Sequence, residues 1–320
     1  MFATHLKWLP IGIGLSLAVP AQAMDSNLYL IALAGQSNII GAGDVRLLPV
    51  GFPMNGPRIW NFTNADIWEP GREPIDSNDG QVDAVSLDRH PGVGPALAMA
   101  DAFAAKYPKV SVGLIPCGKS GSSIEKWQPD PSRSSLYGSC LYRQKQAAQQ
   151  GKLRALVFWQ GGQDGKDKKT AKHWGDNFKR MVTAWRADIG DPKLPVILLV
   201  LKPGTEQTLR KYPYRDVVRQ QQLSVQLPYL TKIETIGYDY NSDDIHLTTA
   251  GQLLVHGKNG LRCLASFGSS VTNVALTTYW PISRPSGMAM LPIAHSDVPD
   301  RPARRQAPAR RECIFHGRDR

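Results

Sequence analysis

Between residues 27 and 260 the chain alternates short apolar runs with longer stretches of helical periodicity. The run that sets the pattern is 27–38, NLYLIALAGQSN, which stops abruptly at Gly35-Gln36-Ser37-Asn38. An unbroken apolar run bounded by a glycine turn predicts a strand buried on both faces. Further apolar runs predict strands at 110–116, 153–159, 195–201 and 232–238. Between them, amphipathic stretches predict helices at 96–107, 134–151, 170–188 and 216–226, with a closing helix opening at Leu247. In 170–188, Trp174, Phe178, Met181, Val182 and Trp185 recur at helical spacing, the mark of a core-facing stripe. Such alternation predicts an α/β chain with a parallel sheet covered by helices on both faces. Residues 41–92, dense in Gly, Pro, Asn and Asp, read as a long loop region carrying Trp60 and Trp68.

The chemistry-bearing residues fall where these strands end. Ser37 follows the first strand, Gly118–Ser123 the second, and Gln160–Asp164 the third. Asp243, Asp244 and His246 follow the last. In open α/β sheets the carboxyl edge is where ligands bind. A serine, a histidine and a carboxylate are the nucleophile, base and orienting acid of acyl transfer. Asp243 and Asp244 are both available as the acid. A backbone N–H of the Gly/Ser turn could face the nucleophile. The indoles of Trp60, Trp68 and Trp127 either stack on a sugar ring or pack internally. His90 and His173 read as surface or structural, and no CxxC or His/Cys cluster suggests a metal or other cofactor.

Four blocks taken in order give the chain a resemblance: 35–38 GQSN, 113–127 GLIPCGKSGSSIEKW, 158–164 FWQGGQD and Asp243-x-x-His246. They resemble the SGNH hydrolases, and within them the carbohydrate esterases that include sialate O-acetylesterases and acetylxylan esterases. The resemblance implies a flavodoxin-like three-layer α/β/α sandwich with about five parallel strands. It implies Ser37 as nucleophile, His246 as base and Asp243, three residues before it, as the acid. It implies an oxyanion hole from the backbone N–H groups of Ser37 and Gly121 and the side chain of Gln160. Here the family usually has two glycines and a threonine, where this chain has Ser120, Gly121 and Ser122. The family glutamate two residues after the glutamine is replaced by Gly162. The substrate implied is an O-acetylated carbohydrate. A lipase- or thioesterase-like hydrolase is the runner-up, and a non-catalytic carbohydrate-binding protein would have no reason to carry both Ser37 and the Asp-x-x-His pair.

Composition adds an address. His5 and Lys7 precede an apolar run at 9–19, and Ala21-Gln22-Ala23 matches a small-x-small cleavage site. This pattern predicts a signal peptide over 1–23, hence a secreted or periplasmic protein, because the run is too short to span a bilayer. Export permits disulfides, and of Cys117, Cys140, Cys263 and Cys313 the pair within the core region is Cys117 and Cys140. The hydrolase domain is expected over 24–260. The net charge of +11 is concentrated late: residues 284–320 hold eight arginines against four acids, amid prolines. With no aromatic platform or recognition motif beside them, 261–320 read as a poorly structured solvated extension, not a nucleic-acid arm.

Overall fold

The computed structural model describes residues 27–88 and 90–255. The predicted leader at 1–23 and the extension at 261–320 lie outside the described residues. Strand β1 (Leu28–Gly35) is followed by the short helix α1 (Ser37–Ile40). Strands β2 (Ile59–Phe62) and β3 (Trp68–Pro70) then precede helix α2 (Ala96–Lys106). The chain continues through β4 (Val112–Gly118), α3 (Leu136–Ala147), β5 (Gly151–Trp159) and α4 (Lys168–Ile189). It closes with β6 (Val196–Val200), α5 (Glu206–Lys211), α6 (Arg215–Ser224), β7 (Leu230–Glu234) and α7 (Thr249–Leu254).

The strands form one sheet in the order β3-β2-β4-β1-β5-β6-β7. Every pairing is parallel except β2 with β3. Strand β1 lies at the centre because its two faces are both apolar. Leu28, Leu30, Ala32 and Ala34 join the side chains of α3, α4 and α6 in one core. Ile31 and Leu33 join α1, α2 and the residues around α7 in the other. The result is the three-layer α/β/α sandwich that the resemblance implies. The stripe predicted on α4 is wholly buried from Trp174 to Trp185.

Two expectations need correction. Among the described residues the sheet has seven strands, not about five, because the stretch expected as loop at 41–92 contributes β2 and β3. These strands are four and three residues long, too short for periodicity to reveal. The helix expected to run to Gly151 ends at Ala147, since Gly151 already pairs with Leu28 as the first residue of β5.

Cys117 and Cys140 are joined in a disulfide, with Cα atoms 5.4 Å apart, that staples β4 to α3. Beside it the buried Arg143 donates to the carbonyl oxygens of Pro116, Phe62 and Thr63 and pairs with Asp66. Arg143 thereby fastens α3 to β4, to the end of β2 and to the loop that follows it.

Candidate active site

Strand β1 divides the sheet: the chain builds β4 on one side of it and β5 on the other, so a crevice opens above its carboxyl end. That crevice is a cleft of about 870 Å³, lined by Ser37, His246 and Gly121 among others. Gly35 makes the turn into it possible. Its φ is +135°, and a Cβ there would sit 2.2 Å from the carbonyl oxygen of Trp159, so only glycine lets β1 and β5 end so close together. Ser37 is therefore delivered at the first residue of α1, half-exposed, where its N–H has no helical acceptor.

The other partners arrive from the loop between β7 and α7. Ser37 Oγ lies 2.7 Å from His246 Nε2, and His246 Nδ1 lies 2.5 Å from Asp243 Oδ2. The other oxygen, Asp243 Oδ1, accepts the N–H groups of Ile245 and His246, each at 3.0 Å. Burial pushes the Asp243 carboxyl up, but these N–H groups and the imidazole together outweigh it and hold it below the usual carboxylate range. Asp244 is turned away by its left-handed backbone, φ +58°, and takes Lys202 and Thr205 instead. Of the two adjacent acids, Asp243 is the one on the histidine.

Asn38, the last residue of the GQSN block, fixes the loop to the serine turn. Its side chain donates to Ile245 O at 2.9 Å and accepts from Leu247 N at 3.0 Å, bracketing His246. Gln252 of α7 donates to Asn38 O from the far side, and Thr248 caps α7 through Gly251 N. Gln36 spans to the next strand, its Oε1 accepting the N–H groups of Gly161 and Gly162 at 2.9 Å each. Neither Asn38 nor Gln36 stood out in the sequence beyond membership of the GQSN block.

Gly121 borders the cleft in a left-handed conformation, φ +67°, and nothing lies within 4 Å of where its Cβ would be. Its turn is held on two sides. Ser120 N donates to Asp88 at 2.7 Å, and the carbonyl of Ser122 accepts from Gln160 Nε2 at 2.9 Å. That second bond corrects the expected role of Gln160. Its side chain is 1 % exposed, and its amide nitrogen donates to Ser122 O and to Asp164 while its oxygen accepts from Trp174 Nε1. An amide committed on both ends beneath the cleft does not face a reacting carbonyl; it positions the turn that carries Gly121. Burial in the same pocket raises the Asp164 carboxyl to about 6, against the pull of Gln160 and Ile124 N.

Of the two readings left open for the tryptophans, the structure shows internal packing. Trp127 is 0 % exposed, donates to Ser122 Oγ at 2.9 Å and meets Phe158 edge to face. Trp60 and Trp68 belong to β2 and β3 and pack against the core on the α3 side, Trp68 over Gly113. None of the three borders the cleft. The wall there is built from Asn78, Asp88 and His90 on one side and Gln163, Tyr212 and Arg215 on the other. Among the described residues no cluster of His, Cys, Asp and Glu could hold a metal, and no helix is long and apolar enough to cross a membrane.

Comparison with known proteins sets this geometry in a family. The chain is 29 % identical over 242 residues to an Arabidopsis thaliana protein named "Probable carbohydrate esterase", a match covering 70 % of this chain and 85 % of that one. The crystal structure of that plant protein superimposes with a TM-score of 0.63 at 26 % identity, over 76 % of this chain and 98 % of the other. The structure of NanS shares the fold at 15 % identity, with a TM-score of 0.55 over 78 % of this chain and 100 % of that chain. A carbohydrate acetylesterase from Xanthomonas citri shares it at 17 %, with a TM-score of 0.54 over 77 % of this chain and 57 % of its own. The sequence model described as carbohydrate esterase, sialic acid-specific acetylesterase, matches residues 26–259, from the strand that delivers Ser37 past the helix that follows His246. With fold, cleft and sequence in agreement over that span, the chain belongs to this family of carbohydrate esterases and is a carboxylic ester hydrolase.

Proposed function

We propose that the chain is a serine O-acetylesterase that deacetylates an O-acetylated carbohydrate through an acyl-enzyme formed on Ser37. The observation that carries this reading is the hydrogen-bonded line from Ser37 Oγ through His246 to Asp243, set at the mouth of the cleft. His246 Nε2 takes the Ser37 proton as Oγ attacks the acetyl carbonyl, and returns it to the departing sugar hydroxyl. It then takes a proton from water, whose oxygen attacks the acetyl-serine, and returns that proton to Ser37 Oγ as acetate leaves. Asp243 holds Nδ1 protonated, so that the nitrogen facing Ser37 is the basic one. The oxyanion is received by the N–H groups of Ser37 and Gly121. No hydrogen bond occupies either one among the described residues, and each such donor contributes about 3 kcal/mol to the barrier.

A signal peptide over 1–23 and export of the enzyme complete the proposal. The Cys117–Cys140 bridge supports it, since such bonds persist in oxidising compartments. The test is acetate release from acetylated xylan, O-acetylated sialic acid and acyl esters of increasing chain length, with Ser37→Ala beside the native protein. Release from an acetylated sugar, abolished by Ser37→Ala, is the expected result. A preference for long acyl chains, or turnover retained in Ser37→Ala, would overturn it.

A further inference from the structure

The turn that carries Gly121 is fastened to its surroundings through its backbone. Before Gly121, Gly118 N donates to Asp76 at 2.9 Å, Lys119 N to Gly35 O at 2.9 Å and Ser120 N to Asp88 at 2.7 Å. Beyond Gly121 one side chain takes over. Asp164 lies in the single 3₁₀ turn at Gln163–Lys166, just after β5. Its Oδ1 accepts Ile124 N at 3.0 Å. Its Oδ2 accepts the amide nitrogen of Gln160, which also donates to Ser122 O at 2.9 Å. One carboxylate thus holds the chain at Ser122 and at Ile124, while Asp164 itself does not border the cleft.

The donors around it require an acid. Asp164 is 1 % exposed, and a charge buried that deeply is costly unless hydrogen bonds meet it. Trp174 Nε1 can only donate, so it holds Gln160 Oε1 toward α4 at 2.8 Å and turns the NH₂ toward Asp164 and Ser122 O. Trp174 is buried and stacked on Phe178 with ring centroids 5.0 Å apart, so the core fixes that orientation. Oδ2 must therefore accept while Oδ1 accepts from Ile124 N, and an ionised carboxylate is the group of this size that accepts at both ends. Asparagine has the same shape but would set its own NH₂ against one of the two donors.

We propose that Asp164 is the positioning residue of the oxyanion hole: through Gln160 and Ile124 it sets the direction in which Gly121 N–H meets the acetyl oxygen. The proposal rests on the esterase reading above and extends it to a residue that touches neither the ester nor Ser37. Deleting a whole oxyanion donor costs about 10²–10³-fold in kcat, so misdirecting one should cost about 10–100-fold.

The test is steady-state hydrolysis of p-nitrophenyl acetate by Asp164→Asn, beside inhibition by trifluoroacetone and a thermal melt. Ser37 Oγ adds to the ketone carbon of trifluoroacetone as His246 takes the serine proton, which leaves an alkoxide where the oxyanion forms. The expected loss in kcat is about 10–100-fold. Acylation and deacylation both pass through the oxyanion, so both slow and KM should stay within about threefold of the native value. The inhibition constant for trifluoroacetone should rise in step with the loss in kcat. Asp167→Ala separates positioning from stability. Asp167 caps α4 by accepting Thr170 N at 2.9 Å, so its loss should lower the Tm by about 2–4 °C yet leave kcat within about twofold. Should Asp164→Asn fail to fold, Gln160→Met cuts the same line at its other link and is read by the same three measurements. Where Ser37→Ala abolishes native turnover, a kcat loss below about threefold in the folded variant overturns this proposal alone. A loss in kcat with an unchanged inhibition constant does the same. Turnover retained in Ser37→Ala, or none by the native protein, would instead refute the esterase reading and the proposal with it.

Discussion

Replacing Asp243 by asparagine changes one atom and should disable the base without moving it. The two oxygens of Asp243 do different work: Oδ1 accepts the N–H groups of Ile245 and His246, and Oδ2 meets His246 Nδ1. An asparagine keeps its oxygen for the two backbone donors, which hold the loop, and so turns its NH₂ toward the imidazole. An amide nitrogen can only donate, so Nδ1 must become the acceptor and the proton moves to Nε2, facing Ser37. The histidine is then in place but in the tautomer that cannot take the serine proton. The same change costs about 10⁴-fold in kcat in a serine protease triad. Because the Asp243 side chain here is 43 % exposed, water competes for Nδ1, and a loss of about 10³–10⁴-fold is expected, equivalent to about 4–5 kcal/mol in the barrier. Asp244→Asn is the control. Its left-handed backbone suits asparagine, and its partners are Lys202 and Thr205, so less than about a tenfold loss is expected. Initial rates on p-nitrophenyl acetate with both purified variants decide the matter. A loss below tenfold at Asp243, or a larger loss at Asp244, refutes the tautomer argument.

Ser37→Ala should abolish turnover while shifting the Tm by less than about 2 °C in a thermal melt, because the hydroxyl is half-exposed and only His246 uses it. Replacing Cys117 and Cys140 by alanine should cost about 3 kcal/mol, the loop-closure entropy for a separation of 23 residues, and lower the Tm by roughly 6–12 °C. An unchanged midpoint would show that the bridge contributes nothing to stability. Glu73 is half-buried as a residue, with Oε2 accepting Ile75 N and Gly94 N and Oε1 shielded and unpartnered, and burial of the carboxyl raises it to about 8. The folded chain thus holds this proton after the unfolded chain has lost it, so stability falls as pH rises from the ordinary carboxylate range to about 8 and then levels. Glu73→Gln should flatten that slope, raising the Tm at pH 8 and leaving it nearly unchanged at pH 4. A slope identical to that of the native chain would mean that Glu73 ionises freely in the fold.

The parts of the site visible in the sequence are those whose chemistry depends on residue type at a strand end. Ser37, Asp243 and His246 were legible because an apolar run must stop where β1 and β7 meet the carboxyl edge, and reactive residues placed at that stop are conspicuous. The core stripe of α4 was legible for the same reason, since burial at every third or fourth position leaves a trace in the residues themselves. What could not be read was the direction a side chain takes once two elements meet. Gln160 follows β5 as expected, but Trp174 from α4 draws its amide beneath the cleft, a contact between residues 14 positions apart that no local pattern encodes. The three tryptophans fail as sugar platforms because an indole is equally at home in a core, and the packing partners that decide, Phe158, Phe62 and Gly113, lie on other strands. Arg215 is the converse case. In sequence it is one arginine among many, and only the tertiary fold places it, 2 % exposed, in the wall of the cleft. Motif reading therefore finds the groups proposed to break the ester bond, whereas the walls around them are set by how strands distant in the chain close around the cleft.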